Sequence, residues 1–409
     1  MKQVLFLSYD GLTDPLGQSQ ILPYLLGLTK HGYEYTIISC EKPARYQQRK
    51  HLIDEIIKDH PVNWVPIQYH KHPPVLSSVY DYQNMWRMAK IMHRKKKFEL
   101  VHTRSGIPTL VALKLKKKFG VKYLNDVRGF WADERVDGNL WDLKNPVYNR
   151  VYKYFKAKEA ECFRVNDYTT CLTYKAQEQI RSWNLLKVPD NVTVIPCSVD
   201  INLFDPKTID QIKVSELKQK LGIAEDDIVV SYVGSVGTWY MVDEMMQLFK
   251  TFMQRTPRVK FLMLINGSEH DKVVDYITKY EIPQSKVILT EVLRKEIPLY
   301  LSCCRFSVFF IKPCFSKLSS SPTKHGEIMA MGLPVITNSG VGDVADIVKK
   351  YESGIVIDKF EKKVYEDVVD KALNTRFDQQ MIRQGAQEFY SLSNALERYS
   401  SVYKKILGA

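Results

Sequence analysis

The sequence lacks any apolar run long enough to cross a bilayer. None of its 409 residues sits in a stretch approaching 18 uncharged apolar residues, the length a spanning helix needs. The opening MKQVLFLSYDG carries only Val4 to Leu7 as an apolar run. That is too short for a secretory signal and is expected to be a first buried strand. Cysteine is sparse and unpatterned. There are seven, an odd number, with no C-x-x-C pair, which excludes a disulfide framework and argues against a zinc site. A reducing, cytoplasmic setting fits. The dinucleotide fingerprint G-x-G-x-x-G is also missing. So is any D-x-D pair, so no metal and no resident cofactor are expected. Solenoid-length repeats and low-complexity tracts are absent as well.

What is present is an ordinary globular composition, 45% hydrophobic and 11% aromatic, far above what a disordered chain carries. At 409 residues the chain exceeds one core, and two domains are expected. The net charge of +13 is lopsided. Residues 1–200 hold 31 Lys and Arg against 20 Asp and Glu, whereas residues 201–409 hold 28 against 26. A positive field confined to the front half implies an anionic partner: phosphates, nucleic acid or an anionic membrane surface. The runs HRKKKF (93–98) and KLKKKFG (114–120) carry much of it. They read either as solvated faces or as a surface for acidic headgroups.

Strand-like and helix-like segments alternate throughout, the pattern of βαβ units and parallel sheet. VLFLSYD, YEYTIISCE, FELVHTRSG, VKYLNDVRG, DYTTCLT and VTVIPCSVD are expected strands of the first half. The pattern restarts near 200–225. DIVVSYVG, VKFLMLING, KVILTEV, FSVFFIK, LPVIT and GIVI follow, with helices expected at 297–302, 323–331 and 343–350. The fold class is therefore α/β, in two successive halves of 1–205 and 206–390, followed by a helix within 391–409.

SPTKHGEIMAMGLPVI (321–336) concentrates the chemistry. Ser321 is expected as N-cap, with Pro322 in the first helical position. The helix start and Lys324 together attract an anion, most naturally a phosphate. Glu327 lies four residues after Thr323, on the same face, where its carboxylate can accept two hydrogen bonds from a ribose diol. The bland reading is a well-capped helix with a solvated acid. However, the flanking apolar runs imply that the helix packs on a sheet, where a buried acid needs a partner. A second anion-facing candidate is the turn Gly234, Ser235, Val236, Gly237, Thr238, between an expected strand and the next helix. The matching loop of the first half, DGLTDPLGQSQ, holds Gly11 and Gly17, with Gln18, Ser19 and Gln20 at the next helix start.

These motifs resemble the family-4 glycosyltransferases of GT-B fold. PTKHGEIMAMGLPVI is similar to the family's donor-binding motif, and VIPCSVDINLF (194–204) to the segment preceding its second domain. DVRGFWADER (126–135) and YVGSVGTWY (232–240) resemble a bacterial branch. The resemblance implies two Rossmann-like domains facing a cleft. The acceptor would bind the first domain, a nucleotide-diphosphate sugar the second, and 391–409 would cross back to the first. It implies transfer with retention at the anomeric carbon. Glu327 matches the second acid of an E-x7-E pair. Ser319 stands where the first acid would, which removes a group that normally helps hold the donor sugar. The usual Arg and Lys after the glycine turn are also replaced, leaving Lys324 to meet the diphosphate, with Ser321 and Thr323 donating hydrogen bonds.

The donor-binding set is thus Gly17, Gly234, Ser235, Gly237, Thr238, Ser319, Ser321, Thr323, Lys324 and Glu327. Lys324 also has a catalytic role, with Asp126 and Arg128. Asp126 either orients or deprotonates the acceptor hydroxyl, and Arg128 contacts phosphate; the alternative is a structural ion pair. Asp133, Glu134 and His325 are expected at the surface, and His102 in the interior or at a rim. The acceptor expected is a glycan or a polyprenyl-linked intermediate of cell-surface polysaccharide synthesis, met at the inner face of the membrane. A GT-B-type sugar-nucleotide epimerase or phosphorylase is the second reading. A basic nucleic-acid-binding protein is the third, and it leaves 321–343 unexplained.

Overall fold

The computed structural model describes residues 1–408. Two compact units form. The first joins Met1–Pro196 to the segment from Leu392 onward, and the second is Cys197–Ser391. No helix among the described residues is long and apolar enough to cross a membrane.

The first unit contains strands β1 (Lys2–Ser8), β2 (Tyr33–Glu41), β3 (Val62–Gln68), β4 (Leu100–Arg104), β5 (Lys122–Val127), β6 (Tyr168–Cys171) and β7 (Val192–Val194). They pair in the order β3-β2-β1-β4-β5-β6-β7, every neighbour parallel. The second holds β8 (Ile228–Val233), β9 (Val259–Leu264), β10 (Val287–Thr290), β11 (Phe306–Phe309), β12 (Val335–Asn338) and β13 (Gly354–Ile357), ordered β10-β9-β8-β11-β12-β13. Both sheets reverse direction of growth beside their first strand. In doubly wound folds ligands bind at that point, off the carboxyl ends of the strands.

Every expected strand is present, and one is added. β3, VNWVPIQ, is an edge strand with Pro66 inside it and no clean alternation of burial. Proline is tolerated only at such edges, so this strand gave no periodic signal. The division between units falls after Pro196, ahead of the expected 205. The reason is local. Val199 N–H donates to Tyr390 O at 2.8 Å. The Arg383 guanidinium holds Phe204 O at 2.6 Å and Ile201 O at 3.2 Å. Phe204 itself is fully buried in the second core.

The final helix, Leu392–Leu407, completes the first unit. Its buried face (Ala395, Tyr399, Val402, Tyr403, Ile406) shares a core with Tyr24, Leu25 and Leu28 of the helix Leu22–Thr29. Gly27 lets the two helices approach, since a Cβ there would lie 2.5 Å from Leu396.

Candidate functional site

The helix Thr323–Ala330 starts one residue later than expected, with Pro322 as N-cap and no side-chain cap. Ser321 Oγ is occupied otherwise, accepting from the Cys197 N–H at 3.2 Å. The helix ends as expected at Gly332. There φ is +68°, the Gly332 N–H reaches Met329 O, and Leu333 N–H reaches Ile328 O, a Schellman closure.

Lys324, in the first turn, is partly buried. Its Nζ lies 3.7 Å from the Tyr240 ring centre, 4.6 Å from the Tyr232 ring centre and 3.4 Å from Tyr232 Oη. Gly234 passes directly beneath it: φ is +136°, and a Cβ would sit 2.3 Å from Nζ. The glycine turn after β8 and the Lys324 helix start are therefore one site at the switch point of the second sheet. Burial lowers the ammonium pKa to about 7, against the pull of Glu327 and Glu269. The lysine is thus a cation short of counter-charge.

One turn deeper, Glu327 is buried. Arg294 Nη2 forms an ion pair with its Oε1 at 2.7 Å, and Oε1 accepts no hydrogen bond. Burial raises the carboxyl's pKa, opposed by Arg294 and Lys324. A carboxylate held by one ion pair keeps further lone pairs with which to accept from a diol. His325 departs from its expected surface position. It is wholly buried, its Nδ1 lies 2.9 Å from Tyr390 Oη, and burial lowers its pKa to about 3, keeping the ring neutral.

The turn itself is less open than its glycines suggest. Val236 N–H donates to Glu269 Oε1 at 2.9 Å, and Ser235 O accepts from Tyr232 Oη at 2.6 Å. Gly237 and Thr238 are exposed and border a hollow of about 580 Å³ shared with Lys272 and Asp275. Ser319 is fully buried and donates to Ser316 O at 2.8 Å. Thr323 opens the helix and is partly exposed.

In the first unit Asp126 ends β5 and is buried on every side. Its Oδ1 accepts from Thr170 Oγ1 at 2.8 Å and its Oδ2 from Tyr399 Oη at 3.1 Å. His102 Nε2 stands 3.6 Å and Arg128 Nε 3.9 Å from Oδ2. Burial alone would raise this carboxyl. Arg128 and His102 overcome it and hold the pKa at about 2. His102 is interior, with Nδ1 2.8 Å from Tyr403 Oη. Arg128 Nη2 donates to Gln20 Oε1 at 3.3 Å, and Arg104 Nη1 to Gln20 O at 3.1 Å, so two guanidinium groups converge beside the loop after β1.

That loop is tied down by one acid rather than left free at its glycines. The Glu41 carboxylate accepts from Leu12 N–H (2.7 Å), Thr13 N–H (3.2 Å), Thr13 Oγ1 (2.5 Å) and Ser39 Oγ (2.6 Å). Gly17 is buried inside the helix Pro15–Gln20, where a Cβ would lie 2.2 Å from Gly11 O. Asp133 is also not at the surface: it is buried and accepts from Tyr152 Oη and Lys156 Nζ, both at 2.8 Å. Sequence reasoning missed Glu41, Glu269 and Arg294. Their only signal was position: Glu41 is the last residue of β2, and Glu269 and Arg294 lie in the segments that follow β9 and β10.

The comparisons agree with this architecture. Residues 24–203 match the family described as Glycosyltransferase Family 4, and residues 213–389 match Glycosyl transferases group 1. The chain belongs to the family-4 glycosyltransferases of GT-B fold. It is 27% identical over 188 residues to an alpha-monoglucosyldiacylglycerol synthase of Acholeplasma laidlawii, covering 44% of each chain. It is 24% identical over 209 residues to the capsular polysaccharide biosynthesis glycosyltransferase CapM of Staphylococcus aureus, covering 50% of this chain and 52% of CapM. These matches span about half the length of either relative. Among solved structures, HepE of Anabaena, crystallised with UDP, superposes with a TM-score of 0.73 at 14% identity, over 99% of this chain and 100% of HepE.

Proposed function

We propose that the protein moves a sugar from a nucleotide-diphosphate sugar to a hydroxyl acceptor, with retention at the anomeric carbon. One observation carries the reading: Lys324 Nζ stands beside the Gly234 turn, and Glu327, met by Arg294 alone, lies one turn deeper on the same helix. The diphosphate takes the place beside Lys324, and the ribose hydroxyls donate to Glu327. Negative charge builds on the leaving diphosphate as the glycosidic bond breaks, and a pre-placed cation with little counter-charge lowers that barrier. Ser321, Thr323 and the outer turn residues Ser235, Gly237 and Thr238 complete the donor set, with Ser319 supporting it from within. HepE, solved with UDP and with UDP-glucose, supports the donor class.

In the first unit Arg128 meets a phosphate of the acceptor, and Gly17 keeps the loop after β1 close to it. Asp126 acts as a positioning residue for Arg128 and His102. With a pKa of about 2 it is a poor proton acceptor near neutral pH. No metal is required in this scheme, so a chelator leaves the rate unchanged. The acceptor is a glycan or lipid-linked intermediate of surface polysaccharide or glycolipid synthesis, a class that the names of both relatives support. The basic residues Arg94–Lys97 and Lys114, Lys117 and Lys118 are exposed on packed neighbouring helices. They draw the protein from the cytoplasm to an anionic inner leaflet; recovery by flotation should depend on acidic lipid.

Titration with UDP and with 2′,3′-dideoxy-UDP tests the donor site. Wild-type protein binds UDP at least tenfold more tightly, and Glu327→Ala erases the preference. Equal affinity of the wild type for both would overturn the reading. A thermal-shift screen over sugar nucleotides then identifies the donor, because a ligand bound only by the folded state raises its Tm.

A further inference from the structure

A second cavity lies within the first unit, on the carboxyl-end side of its sheet, where Tyr9 follows β1, Tyr69 and Lys71 follow β3, and Trp131 opens the helix after β5. It has a volume of about 690 Å³ and is walled by the helices Leu76–Lys96, Ile107–Phe119 and Pro146–Val165 and the short helix Trp131–Asp137. That volume is typical of a small-molecule site. The wall is aliphatic and aromatic, with Leu110, Val151, Trp131, Trp141, Tyr154 and Phe155 as its main surfaces. Among the described residues that line it there is no Asp, Glu, Asn or Gln. The uncharged polar groups on the wall are the hydroxyls of Ser77, Ser78 and five tyrosines, without the carboxylate or amide that commonly clasps a sugar. The charges on the wall are all positive: Lys71, Arg135 and Arg150. Arg135 is stacked 3.4 Å above the Trp131 ring. Lys71 and Arg150 are exposed at the rim and have no carboxylate partner among the described residues. The rim is apolar as well, with Val79 45%, Leu140 68% and Tyr154 49% exposed. A neighbouring hollow shares Tyr82, Leu110 and Tyr154 with the cavity and adds Lys114, Lys117 and Lys118.

We propose that this cavity holds the hydrocarbon chain of a lipid-phosphate amphiphile, with its phosphate met at the rim by Lys71 and Arg150. The apolar wall removes chain carbon from water. The uncompensated cations select an anionic head over a neutral one. The exposed Val79, Leu140 and Tyr154 let the chain pass from a bilayer without crossing water. That this amphiphile is the sugar acceptor rests on the transferase reading; that it binds does not.

The test uses the full chain with farnesyl monophosphate, kept below its aggregation threshold, and follows tryptophan fluorescence and heat. Farnesol and inorganic phosphate are the comparison probes. Saturable binding at one site is expected, at least tenfold tighter than farnesol and a hundredfold tighter than inorganic phosphate. Tyr154→Glu, at a half-exposed position that does not threaten folding, should weaken it at least tenfold. Lys71→Ala with Arg150→Ala should bring farnesyl phosphate down to the farnesol level. UDP binding should be unchanged in both variants. Absence of saturable binding, or binding indifferent to Tyr154→Glu, would overturn the proposal. Amphiphile binding without sugar transfer would sink the transferase reading alone. Transfer to a water-soluble glycan by a protein that ignores farnesyl phosphate would sink this proposal alone.

Discussion

The Cα of Gly234 and the Nζ of Lys324 are in such close contact that a methyl group on the glycine would lie 2.3 Å from the nitrogen. The turn leaving β8 and the helix starting at Thr323 therefore set each other's position. The φ of +136° at Gly234 is also one that side-chain-bearing residues avoid. Gly234→Ala should cost about 1–3 kcal/mol in stability from backbone strain. It should also weaken UDP binding at least tenfold by displacing the ammonium. Calorimetric titration and denaturant unfolding read the two effects separately, and an unchanged UDP affinity would show that Lys324 is not held by this contact.

Lys324 gives a pH signature. Its folded pKa of about 7 lies below the ordinary 10.5, so between those values the unfolded chain binds more protons than the folded one. Stability from this group therefore rises with pH across that window, and below pH 7 its full penalty stands. Lys324→Met should be more stable than the parent below pH 7, and the advantage should shrink as pH approaches 10. Binding a diphosphate restores the charge, so UDP binding at pH 8 should take up protons. Titrations in buffers of different ionisation heat would reveal the uptake, and Lys324→Met should abolish it.

Lys324→Ala should reduce donor affinity at least tenfold. Glu327→Gln should keep much of it, because an amide oxygen still accepts one hydroxyl. An unchanged dissociation constant in Lys324→Ala would remove the lysine from the donor site.

Asp126 predicts the acid limb. Its folded pKa of about 2 is below the ordinary 3.8. Its contribution to stability is thus complete above pH 4 and is lost as pH falls toward 2. Tyr399→Phe removes one of its two hydroxyl donors and should cost about 1.5–3 kcal/mol, the range for hydrogen bonds to charged groups. Asp126→Ala leaves Arg128 and His102 facing an unbalanced site and should cost about 3–5 kcal/mol. Urea unfolding at pH 7 checks both, and a Tyr399→Phe midpoint equal to the parent's would contradict the network.

The order of elements was readable because parallel strands buried on both faces are short apolar runs, and twelve of thirteen stood out that way. β3 did not, because an edge strand with Pro66 lacks the pattern. The helix at Thr323 and its stop at Gly332 were legible from local chemistry. The partners of that helix were not. Arg294 on Glu327 and Glu269 on the 234–238 turn come from loops distant in sequence, and only the sheet brings them together. Asp126 was visible as a charged strand end. Its clasp by Tyr399 was not, since 273 residues separate the two. Ser321 shows the limit of local rules: a residue well suited to capping is claimed by Cys197 instead.

The placement of Leu392–Leu407 has a consequence for how the protein is made. A ribosome finishes β1–β7 long before it reaches the helix that covers Tyr24 and Leu28 and supplies Tyr399 to Asp126. The intervening Cys197–Ser391 occupies roughly 10–40 s of synthesis at typical elongation rates. Through that interval the nascent first unit shows an uncovered apolar face, whereas the second unit, continuous in sequence, can close as soon as it emerges. The order of maturation is therefore the reverse of the order of translation, and the early half is the part left with apolar surface exposed while synthesis continues.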